Sequence, residues 1–132
     1  MTRIKEIVAK TVAQYSAGDL EGMSNQIHAN IHFEISMPQN DPRYRYRKGN
    51  SRDEFFAFLI LPNEAVEEKV YEISDILVSE HRVSVVGKNM YRIKALNRVA
   101  EYDFVWVFRL ENELIIEFFY IFDTALVGAA YS

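Results

Sequence analysis

The chain has 132 residues, 49% of them hydrophobic and 26% charged, with a formal net charge of -4 and no cysteine. Such a length suits a single domain over residues 1–132 with one sizeable core, and the composition excludes a disordered chain. The acidic balance argues against a nucleic-acid partner, and the missing thiols exclude a disulfide framework, a thiolate nucleophile and a cysteine-ligated metal.

In chain order, "MTRIKEIVAKTVAQY" carries charge throughout and lacks the apolar core of a signal peptide. No run approaches the ~20 apolar residues of a membrane span, so a cytoplasmic protein without membrane contact is expected. Ile4, Ile7, Val8, Thr11, Val12 and Tyr15 fall at helical spacing and predict a first helix, which Gly18 stops. Asp19 caps a short second helix with Leu20, Met23 and Ile27 on its buried side. "NIHFEISM" then alternates as a half-buried strand, with Ile31, Phe33, Ile35 and Met37 on one face. Pro38 and Pro42 open a loop running to Gly49. Ser51 and Glu54 have capping-box spacing ahead of "FFAFLIL", a third helix ending before Pro62.

From Val66 onward only strands are expected. "VYEISDILV" and "RVSVVGKNMYRI" meet at a turn over Ser79 to His81; "VAEYDFVWVFRL" and "ELIIEFFYIFD" meet at Glu111 and Asn112. "TALVGAAYS" adds a short helical turn. The last two strands are apolar on both faces, so both faces call for cover. Helices supply one cover. A second copy of the chain is the expected other, giving a homodimer through the outer sheet face.

The order helix, helix, strand, helix, then long antiparallel strands resembles the nuclear-transport-factor-2-like superfamily. Its SnoaL-like branch is the nearest match, through "YSAGDLEGM", "KG" before the third helix and the closing "ENELIIEFFYIFD". The resemblance implies an α+β fold: a curved antiparallel sheet wrapped by three N-terminal helices into a cone with an apolar cavity. It also implies a test of each activity known in the superfamily. The ketosteroid-isomerase tyrosine and its two acidic groups fall on Thr11, Ile35 and Trp106, which does not support that mechanism. The acid/base aspartate of the polyketide cyclases falls on Asp123 in "YIFDTAL", but their partnering histidine has no counterpart among His28, His32 and His81.

Asp123 is therefore the candidate catalytic residue, as a proton-transfer group whose pKa an apolar cavity would raise; the competing role is a helix cap. The expected inner wall comprises Tyr15, Phe33, Ile35, Met37, Phe55 and Leu59, then Trp106, Phe108, Glu117, Phe119 and Ile121. Glu117 lies six positions before Asp123, about 20 Å along a strand, too far for a paired-carboxylate hydrolase. No histidine cluster has metal-ligand spacing, and no cofactor is expected. In "DPRYRYRKG", Tyr44 and Tyr46 are expected to face the pocket rim while Arg43, Arg45 and Arg47 face water or attract an anionic substrate group. The sequence thus points to a domain that binds a small hydrophobic cyclic ligand. If catalytic, it is a cofactor-free isomerase, cyclase or dehydratase working by acid/base chemistry. The alternative is a non-catalytic binding or assembly module.

Overall fold

A computed structural model describes residues 2–60 and 66–132. Helices α1 (Thr2–Ala17) and α2 (Leu20–Ser24) precede strand β1 (Ile27–Ile35), a single 3-10 turn (Tyr44–Tyr46) and the short strand β2 (Lys48–Gly49). Then follow α3 (Arg52–Ile60), β3 (Val66–Ser79), β4 (Arg82–Ile93), β5 (Arg98–Glu111), β6 (Leu114–Phe122) and α4 (Thr124–Tyr131). The strands form one strongly curled six-stranded sheet in the order β2-β1-β6-β5-β4-β3. All pairs are antiparallel except β1 with β6. The α+β cone implied by the family resemblance is therefore the fold, with α4 added to the three N-terminal helices. None of the described helices is long and apolar enough to cross a membrane.

Local chemistry sets the boundaries. Gly18 adopts φ +75 and ends α1, and its N–H donates to the Tyr15 carbonyl. The Asp19 carboxylate accepts from Gly22 N at 2.8 Å and starts α2. At α3 Ser51 Oγ accepts from Glu54 N as a capping box requires, while Glu54 Oε1 reaches one residue past the cap and accepts from Asn50 N, each at 3.1 Å. The helix ends at Ile60, and Pro62, its expected stop, lies outside the described residues. Ile27, expected on α2, instead opens β1, which begins three residues earlier than the alternation of "NIHFEISM" suggests. The β5–β6 turn sits at Asn112 and Glu113, φ 50 and 64, the two positive values of a tight hairpin turn, one residue beyond the expected place.

One irregularity decides which side chains reach the interior. Arg109 pairs with Glu117 but Leu110 pairs with Ile115, so Ile116 is an extra residue on β6. A one-residue bulge reverses the facing of everything beyond it. Ile115 is buried, and after the bulge Phe118, Tyr120 and Phe122 face inward against Phe108, Trp106 and Phe104. Without the bulge the inward set would continue through Glu117, Phe119, Ile121 and Asp123, as strict alternation from Ile115 implies. Those four belong elsewhere. Phe119 and Ile121 oppose Val107 and Val105 on the outer face, and Ile121 is 51% exposed.

Candidate functional site

The concave side of the sheet, roofed by α1 and α3, encloses an inner cavity of about 50 Å³, room for a few waters. Phe55, Phe58, Phe108 and Phe118 dominate its wall; Thr11 and Val12 close it from α1. A second, wetter cavity of about 250 Å³ adjoins it, and Tyr15, Leu59 and Lys69 line both. Lys69 Nζ donates to Tyr15 Oη at 2.5 Å across this shared boundary, linking β3 to α1. Among the described residues no aspartate, glutamate or histidine lines either cavity.

Against this apolar wall stands one buried polar network. Arg43 is 5% exposed and Asp41 2%. Arg43 Nε donates to Asp41 Oδ1 at 3.0 Å and Nη2 to Oδ2 at 2.7 Å, a two-pronged pair. Arg43 Nη2 also donates to Tyr91 Oη at 3.2 Å. Nη1, with its two protons, makes no hydrogen bond to the described residues, and Arg43 belongs to the inner cavity wall. Burial alone would lower the Arg43 pKa. The hydrogen bonds and charge of Asp41 outweigh that and hold it above the ordinary arginine value, so the guanidinium is always charged.

On β4, Asn89 breaks the apolar run with a side chain 3% exposed. Its Nδ2 donates to Tyr102 Oη at 3.0 Å and Tyr120 Oη at 3.1 Å, and the two hydroxyls stand 3.2 Å apart. One hydroxyl donates to the other, which leaves a single phenolic proton without an acceptor among the described residues. Tyr120 lines the cavity, and when Tyr102 is the donor of the pair the spare proton is the Tyr120 one. Asn89 Oδ1 and Trp106 Nε1, both cavity-wall groups, are buried with no partner. Burial pushes the phenols of Tyr102 and Tyr120 above the usual tyrosine value, so both remain neutral donors at physiological pH.

The expected site residues divide into three groups. Tyr15, Phe55, Leu59, Trp106 and Phe108 line the inner cavity. Phe33, Ile35 and Met37 are buried core outside its lining. Glu117, Phe119, Ile121 and Asp123 are displaced, for the reason given by the bulge. Glu117 accepts from Arg109 Nη1 at 2.7 Å on the outer face. Asp123 is exposed and caps α4, its Oδ1 accepting from Leu126 N at 3.0 Å. The loop reading changes in two places, while Arg45 stays exposed as expected. Tyr44 and Tyr46 line neither cavity and are instead covered by Arg47 and Arg45, guanidinium to ring centroid 3.9 and 4.8 Å. Arg43, expected in water, points inward.

Arg43, Asn89 and Tyr120 are the functional candidates that alternation missed. A signal for Arg43 was present: Asp41-Pro42-Arg43 permits an Asx turn, and Arg43 N does donate to Asp41 Oδ1 at 2.9 Å. Asn89, the lone amide on the inward side of an otherwise apolar strand, was a second signal.

No curated protein matches the chain. Solved structures share its fold throughout. An NTF2-like protein from Burkholderia xenovorans is 22% identical with a TM-score of 0.86, covering 100% of this chain and 98% of that one. A SnoaL-like polyketide cyclase assignment from Jannaschia is 15% identical with a TM-score of 0.83, over 99% and 92%. TerC, co-crystallised with polyporic acid, is 16% identical with a TM-score of 0.80, over 98% of each chain. The family model for the SnoaL-like domain matches residues 8–118, nearly the whole helix-and-sheet cone. The chain belongs to the SnoaL-like domain family, within the NTF2-like fold.

Proposed function

We propose that this domain binds a small, largely apolar ring compound that enters past Lys69 and spans the outer and inner cavities. One observation carries the reading: an aromatic wall that holds two buried polar atoms without a partner among the described residues, Trp106 Nε1 and Asn89 Oδ1, beside Arg43, whose Nη1 makes no hydrogen bond to them. Such atoms are uncommon in folded interiors, and each costs about 1–3 kcal/mol while unpaired. A ligand offering matching groups recovers that cost, which is the usual logic of a binding pocket. The inner cavity of about 50 Å³ is smaller than a ring, so a ligand of one or two rings spans it and the adjoining 250 Å³. TerC, a neighbour of the same fold, was co-crystallised with polyporic acid, which supports a ligand in such a fold.

Binding without carboxylate chemistry is the favoured form of this reading, because no carboxylate or imidazole among the described residues lines the wall. A second reading, cyclisation, is favoured by the Tyr120 hydroxyl. There the cavity would hold a flexible substrate folded while neutral donors and Arg43 stabilise negative charge developing on oxygen.

The test uses the only tryptophan of the chain, Trp106, which lines the cavity. Titration with phenol, cyclohexanone and benzoate should give a saturable change in its emission for at least one, with a raised melting temperature. Val12→Phe, which fills the cavity, should abolish the response. Three flat titrations without thermal stabilisation would remove the binding reading.

We also propose a homodimer through the outer sheet face, where Val105, Val107, Phe119 and Ile121 form neighbouring rows. Pairs such as Arg109–Glu117 and Lys88–Glu101 flank them, so each border carries both signs and a twofold copy can meet opposite charge. Sedimentation velocity of wild type against Ile121→Lys checks this: a dimer converted to monomer is expected, and a monomeric wild type overturns it.

A further inference from the structure

The inner wall is unequal in its chemistry. Its unpartnered groups are overwhelmingly donors: two protons on Arg43 Nη1, one on Trp106 Nε1 and the spare phenolic proton beside Asn89, against a single acceptor, Asn89 Oδ1. Among the described residues the charged groups in the wall are Arg43, deep in the cone, and Lys69 at the boundary, both positive. Asp41 neutralises much of the Arg43 charge, yet it occupies only the Nε–Nη2 edge and leaves the Nη1 corner free. An arginine held this way on one side is rigid before any ligand arrives, so little side-chain entropy remains to be lost on binding. α4 fixes the loop from behind: Asn40 Nδ2 donates to the Gly128 carbonyl at 2.8 Å, beside the Asp41 turn.

We infer that the deep end of the cavity is an oxyanion site, and that the ligand is an apolar ring compound bearing an anionic oxygen, a carboxylate or an acidic enol, seated on Arg43 Nη1 and the Tyr120 hydroxyl. This rests on the cavity being a binding site at all. A cation is disfavoured there because Asp41 is already engaged by Arg43 from its far edge, and no carboxylate among the described residues lines the wall to receive it. A neutral carbonyl satisfies the donors but gains no charge assistance. The wall thus sorts ligands of one shape by charge.

Three probes of nearly equal shape separate these cases: benzoate, benzamide and benzamidine at pH 7, each titrated against Trp106 emission. Wild type should bind benzoate roughly tenfold more tightly than benzamide, with benzamidine weakest, since a charge-assisted pair exceeds a neutral one. Tyr120→Phe, which removes one hydroxyl and keeps the ring, should lower benzoate affinity several-fold and narrow the gap to benzamide. Arg43→Met should abolish the preference; because that variant also strips Asp41 of its partner, Tyr120→Phe stands as the independent check. Equal binding of benzoate and benzamide, or tighter binding of benzamidine, overturns the oxyanion site while leaving the cavity reading intact. Silence from all three probes overturns both.

Discussion

Replacing Arg43 by methionine keeps much of the side-chain volume and removes the guanidinium. The Asp41 side chain, fully buried in the wild type, then keeps only the backbone N–H of Arg43 as a partner, at 2.9 Å. Breaking one side of a buried, two-pronged ion pair costs about 3–5 kcal/mol, most of it the stranded charge. With an unfolding entropy near 2.1 cal/mol/K per residue, 132 residues convert that into a melting temperature lower by roughly 10–18 °C. Asp41→Asn should cost somewhat less, because Arg43 reaches the cavity and its water. The double variant Asp41→Asn/Arg43→Met buries no charge at all, so it should recover about 2–3 kcal/mol relative to the sum of the singles. Urea unfolding followed by circular dichroism measures all four corners of the cycle. Additive singles, or an Arg43→Met cost below about 1 kcal/mol, would show that the pair is not the buried unit described.

Other consequences are simpler to check. Asp123→Ala should lose about 1 kcal/mol in urea unfolding while Asp123→Asn stays near wild type, because either side chain caps α4; equal losses would point to a role for the charge itself. Burial raises the phenol pKa values of Tyr102 and Tyr120 above those of the unfolded chain, so the folded state retains protons above pH ~10 that the unfolded state releases. Stability is then complete below that pH and falls as pH rises past it. Tyr120→Phe should flatten the fall, as read by thermal melts at increasing pH. Gly87→Ala should cost about 1–3 kcal/mol, since a Cβ there would sit 2.3 Å from the Glu72 carbonyl oxygen and 2.8 Å from Phe104; a neutral result in urea unfolding would contradict that close strand approach.

Much of the fold is written in local rules, and those parts were legible. Gly18, Asp19 and the Ser51–Glu54 box act within four residues of themselves, so their caps follow from spacing alone. The hairpin strands carry their own alternation. What local rules omit is register. One extra residue at Ile116 exchanges the two faces of β6; aromatic residues on both sets of "ELIIEFFYIFD" mask this, and the two carboxylates Glu117 and Asp123 in the displaced set are its one trace in the sequence. Phe119, Ile121 and Asp123 left the cavity for that reason, and Tyr120 entered it.

Arg43 was hidden by a different assumption. An extended loop would alternate tyrosine in and arginine out, but Tyr44–Tyr46 is a 3-10 turn, where side chains no longer alternate. Its direction follows from Asp41, which needs a cation once buried, and burial of a loop residue is a property of the whole chain. The polar half of the candidate site therefore comes from tertiary structure, and the aromatic half from the strand pattern.

A crystal structure of the protein grown with benzoate addresses the oxyanion site most directly. The carboxylate is expected within ~3 Å of Arg43 Nη1 and Tyr120 Oη, its ring against Phe55 and Trp106, as charge-assisted hydrogen bonds require. A cavity left empty at saturating benzoate, or a ring bound with its carboxylate turned toward Lys69 and water, would contradict the assignment.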